Sequence, residues 1–132
     1  MRALEGQRVL GILVVGVMSL SGYSATTATL KEASSRFAVE NVAPFLGRVS
    51  KLIDSGFGSA ECDAIAQTIT SMKADDELSR EFSVKYNESE TPFRIQLVMG
   101  VGDSANVAFF TSPALADRIQ KEMAAFLDEL DK

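Results

Sequence analysis

Apolar positions recur along this chain first with a helical period, then in alternation, then again with a helical period. Thr29 and Glu32 have the spacing of a capping box, and Leu30, Ala33, Phe37 and Ala38 fall on one helical face, which predicts a first helix there. The pattern resumes at Val42, Phe45, Leu46, Val49, Leu52 and Ile53 beyond a break at Asn41 to Pro44, so a kinked pair of helices is expected. Ser55-Gly56-Phe57-Gly58-Ser59 ends this unit. With Ser59 as N-cap, the next helix presents a stripe of Cys62, Ile65, Ala66, Ile69 and Met72. Asp75, Asp76 and Glu77 suit a helix start through the helix dipole, and a short helical turn carrying Leu78 and Phe82 is expected after them.

From Phe82 the period becomes two. Phe82, Val84 and Tyr86 face one way and Ser83, Lys85 and Asn87 the other, the signature of a half-buried strand. After the loop NESET, Phe93, Ile95, Leu97, Met99 and Val101 alternate with Arg94, Gln96 and Val98. Gly102-Asp103 offers a hairpin turn, and Ser104 to Thr111 returns. A two-residue turn pairs position i with 205 − i, which sets Phe110 and Ala108 opposite Ile95 and Leu97, and groups Phe109 and Val107 with Gln96 and Val98. A three-residue loop exchanges Phe109 and Phe110 between the faces. Ser112-Pro113 then caps a long final helix with the apolar stripe Leu115, Ile119, Met123, Phe126, Leu127 and Leu130. The expected fold is α+β, with helices packed on a three-stranded antiparallel meander in the order α-α-α-β-β-β-α.

The amino terminus reads differently. Val9 to Leu20 is VLGILVVGVMSL, uncharged, preceded by Arg2 and Arg8 and followed by small residues. That is the layout of a secretory signal, and the uncharged run to Gly22 is short of the ~20 residues that span a bilayer. Leu20-Ser21-Gly22 resembles the opening of the Leu-Ser-Gly-Cys lipobox of bacterial lipoprotein signals, with Tyr23 in place of the cysteine. The resemblance covers residues 1–23. It implies export to the bacterial envelope, but a phenol cannot take the lipid that the cysteine thiol receives. Residues 1–24 are therefore expected to be a cleaved export signal and 25–132 a single domain in the periplasm or on the outer face of the envelope. An uncleaved segment would instead make the chain an N-terminally anchored membrane subunit.

Charge and composition narrow the function. The full chain has 13 basic and 18 acidic side chains; losing Arg2, Arg8 and Glu5 leaves 11 against 17, a net of −6. An acidic domain whose cations are scattered singly is repelled by nucleic acid and by anionic headgroups. There is no histidine and one cysteine, so neither an intrachain disulfide nor a Cys-His couple can form. Cys62 sits in a helical apolar stripe and is expected to be a core residue. Ser-Gly-Phe-Gly-Ser lacks the cation of a phosphate nest, and Asp75, Asp76 and Glu77 lack the spacing of a calcium loop. Asn87-Glu88-Ser89 matches a glycosylation acceptor, a common accidental triplet.

No catalytic, cofactor or metal residues are assigned on these grounds. The expected function is non-catalytic binding of another envelope or secreted protein, as an accessory subunit, inhibitor or immunity-type protein. Its candidate contact residues are Val98, Val107 and Phe109, apolar members of an otherwise polar sheet face. The competing expectation is a carrier of a lipid or other apolar ligand, drawn from Met72, Met99, Met123 and five aromatic side chains on the apolar faces.

Overall fold

The computed structural model describes residues 29–131, and the proposed export signal at 1–24 lies outside them. The described chain is α+β: one four-stranded antiparallel sheet with three helices on one side of it. Strand β1 (Lys31–Ala38) leads through a 3-10 turn at Val39–Asn41 into α1 (Val42–Ser50) and α2 (Ser59–Ile69). Strands β2 (Glu77–Tyr86), β3 (Ser89–Met99) and β4 (Ser104–Thr111) form the meander, and α3 (Pro113–Leu130) closes the chain. The sheet order is β1-β4-β3-β2, so the first strand lies beside the last.

The meander and the long final helix agree with the sequence reading, but two expected helices are strands. Lys31–Ala38 is β1, not a capped helix, and the sheet has four strands in the order β-α-α-β-β-β-α. Ala33 and Phe37, its buried residues, are four apart. That separation is about one helical turn and also two strand repeats, so both periods put the pair on one face. The same ambiguity misplaced Glu77–Phe82: Leu78 and Phe82 are again four apart, and β2 begins at Glu77 rather than at Phe82. Asp75 has φ 72°, and Asp76 uses its carboxylate to accept from the Lys73 amide, so the acidic run makes a turn into the strand.

The turns set the registers. Asn87 and Glu88, with φ 51° and 65°, form a two-residue hairpin in place of the expected longer loop, and Tyr86 pairs with Ser89. Between β3 and β4, Met99 pairs with Ala105 and the Gly100 amide donates to the Ser104 carbonyl at 2.9 Å. Val101-Gly102-Asp103 is thus a three-residue loop, with Gly102 at φ +76°, a conformation that favours glycine. The register Ile95 to Phe109 follows, which puts Phe109 rather than Phe110 in the core.

That core is built from the helix stripes and the inward strand positions. Phe37 stacks on Phe45 at 5.0 Å between centroids, Phe45 meets Phe109 at 6.0 Å, and Phe109 meets Phe93 at 5.8 Å. Phe57 continues the line beside Phe93 at 5.1 Å and Phe82 at 5.2 Å. Each such ring contributes about 1.5–3 kcal/mol by leaving water. The capping device of α3 is present as read: Ser112 accepts from the Leu115 amide and Pro113 is the first helical residue. Arg48 ties α1 to α3, donating to Glu122 at 2.6 Å and to Glu129 at 2.8 Å while lying 5.2 Å from the Phe126 centroid. Its bonds to Glu129 and Glu122 raise the guanidinium further above its ordinary value.

Candidate functional site

With all three helices on one side, strand alternation decides what the other side shows. Three rows of side chains cross it in register. The first is Glu77, Val98, Asn106 and Arg36; the second Ser79, Gln96, Ala108 and Ser34; the third Glu81, Arg94, Phe110 and Glu32. None of these twelve is buried, so among the described residues no helix covers them. Acidic Glu32, Glu77 and Glu81 stand against Arg36 and Arg94, leaving the face nearly balanced in charge.

Arg94 and Phe110 form its centre. The guanidinium carbon lies 4.6 Å from the Phe110 ring centroid, a cation–π contact between neighbouring strands. Nε of Arg94 is buried and has no hydrogen-bond partner among the described residues. Gln96 and Ala108 continue this half-buried centre toward Val98, which is 38% exposed. Beside them, Glu32, Ser34, Arg36, Asn106 and Ala108 line a shallow open depression along β1 and β4.

The three residues expected to make a contact face are not together. Val98 lies on the open face, whereas Val107 and Phe109 are buried against the helices. The reason is the three-residue loop, which moves every β4 side chain by one position and exchanges its two faces. Sequence reasoning missed Arg94 and Phe110 as a pair for the same reason. The signal that would have found them is the length of the Gly102 loop.

Other candidate sites resolve into structure. The Gly58 amide donates to Glu61 Oε1 at 2.7 Å, so a side chain of α2 itself occupies the mouth of the glycine-rich turn. Cys62 is buried, and that burial raises its thiol above the ordinary value; the Ser50 hydroxyl opposes the shift and Asp63 adds to it. Among the described residues no three His, Cys, Asp or Glu side chains gather as a metal site requires, and no helix is long and apolar enough to cross a membrane.

Neither a family model, nor a curated protein, nor a solved structure matches this chain.

Proposed function

We propose that this is an exported, non-catalytic domain of the bacterial envelope that binds another protein through the open face of its sheet. It would act as an accessory subunit, an inhibitor or an immunity-type protein. The observation that carries the reading is the Arg94–Phe110 stack at the centre of that face. Arginine and aromatic side chains dominate the energetics of protein interfaces, and here the ring already holds the guanidinium in place, so less side-chain freedom remains to be lost on binding. Val98 and Ala108 add an apolar margin, and the alternating charges of Glu32, Arg36 and Glu81 supply a polar rim.

The competing reading, a carrier of an apolar ligand, requires room between sheet and helices. Phe37, Phe45, Phe109, Phe93 and Phe57 occupy that layer in continuous contact, and Met123 is fully buried among the core side chains. This arrangement supports a packed core.

The test is a photo-crosslinking residue at position 98 in protein expressed in its own envelope. One protein crosslinked there, and lost on Arg94→Glu with the melting temperature unchanged, is the expected outcome. Crosslinks to lipid alone would replace this reading with the carrier, and crosslinks that ignore Arg94→Glu would remove the open face from the interaction.

A further inference from the structure

Both edges of the sheet are met by groups of the same chain. At the β2 edge the Lys85 amide donates to the Ser55 carbonyl at 2.9 Å and the Asp54 amide donates to the Lys85 carbonyl at 2.8 Å, a short bridge that occupies the strand's outer side. At the β1 edge the closing group is a side chain. Gln120, on the exposed side of α3, accepts from the Ser34 amide through Oε1 at 3.3 Å and donates to the Ser34 carbonyl through Nε2 at 3.5 Å.

A carboxamide carries an acceptor oxygen and, on the same side, an N–H donor, so it can meet the amide and carbonyl of one strand residue as a residue of a neighbouring strand would. Ser34 opposes Ala108, yet its backbone amide and carbonyl reach Gln120, which places them on the outer side of β1. A further strand joining β1 would need these two groups. We infer that Gln120 is an edge lock: its amide stands in for one residue of a fifth strand and keeps β1 from pairing with β1 of a second copy. Two features hold the lock in place. Nε2 of Gln120 also lies 3.7 Å from the sulfur of Met123, a fully buried residue one turn along α3. One turn back, Asp117 is bound to Lys31 at 2.8 Å, which fastens the helix to the start of the same strand.

The lock is independent of what the open face binds. The test combines amide hydrogen exchange with light scattering across a concentration series, on the wild type, Gln120→Ala, and Gln120→Ala combined with Ser34→Pro. Because Gln120 is exposed, Gln120→Ala keeps the fold, and its melting curve verifies this. The Ser34 amide should exchange about three- to tenfold faster in dilute Gln120→Ala, in line with the loss of one or two modest hydrogen bonds. At high concentration this variant should dimerise where the wild type stays monomeric. Adding Ser34→Pro removes the outward amide and should restore the monomer, since proline is tolerated on an edge strand. Unchanged exchange at Ser34, a Gln120→Ala protein that stays monomeric at its solubility limit, a wild type already paired through β1, or a dimer that survives Ser34→Pro would each overturn the lock.

Discussion

Phe109 and Phe110 are adjacent, chemically identical and opposite in role. Phe109 has no exposed surface and touches Phe45 and Phe93, while Phe110 lies half-buried under Arg94 on the open face. Phe109→Glu should therefore unfold the protein. Burying a carboxylate without a partner costs several kcal/mol, against the ~5–15 that hold a domain together. Phe110→Glu should leave a cooperative melt, lowered only by the loss of a contact of about 0.5–1 kcal/mol. Thermal melts of the two variants check this, and equal melts would mean that the register is wrong. Cys62 makes a second prediction at this scale. Its thiol is buried and held above its ordinary value by desolvation, so labelling of the native protein should be slow and become fast in denaturant. The linkage has a definite sign. A thiol whose folded value is raised adds stability below its unfolded value, and that contribution is lost as pH rises from the ordinary thiol range toward the folded value. Urea midpoints should accordingly fall with rising pH across that alkaline window, and less steeply in Cys62→Ala.

At the scale of elements, the period of the apolar residues was decisive where several of them recurred and ambiguous where only two did. Helix α3 has five buried positions spaced three and four apart, and β3 alternates without a fault from Thr91 to Met99, so both were legible. Strand β1 rests on a pair four residues apart, Ala33 and Phe37, and the start of β2 on another, Leu78 and Phe82, each within polar sequence. Polar, charged composition is what edge strands use to discourage pairing, and it also hides them from a search for hydrophobic alternation. The segment between α1 and α2 makes a prediction here. Gly56 has φ +98°, and a Cβ there would lie 2.5 Å from the Ser83 carbonyl oxygen and 2.8 Å from the Val84 Cα. Both are backbone atoms of β2 and cannot swing aside. Gly56→Ala should lower stability by at least ~1–3 kcal/mol and loosen the Ser55–Lys85 bridge, whereas Gly102→Ala, with open space around it, should cost about 1. Urea melts of the two variants give the comparison, and a neutral Gly56→Ala would contradict the close approach to β2.

For the whole molecule, the open site was the least legible feature, because it depends on a single residue of loop length that no periodicity records. Arg94 and Phe110 are unremarkable in sequence and become a pair only through the β3–β4 register. The proposed export signal makes the prediction that belongs to this scale. Protein recovered from the envelope should have an intact mass lacking about the first 24 residues and carrying no acyl group, since Tyr23 stands where a lipid-bearing cysteine would be. A full-length mass would make the apolar segment an anchor, and an acylated one would place a lipid where the tyrosine argument denies it.

The position of β1 beside β4 has a kinetic consequence. Ala38 pairs with Ser104 and Lys31 with Thr111, separations of 66 and 80 residues, while the pairs within the meander close short hairpins. Closing the longer loop has the larger entropic cost, so the contacts of β1 are expected to form after β2, β3 and β4 have joined. A chain released amino terminus first would thus hold its first strand idle until nearly the last residue of β4 had emerged. Substitutions in β1 such as Ala33→Gly should accelerate unfolding and leave the folding rate almost unchanged, the mark of an element that is set in last.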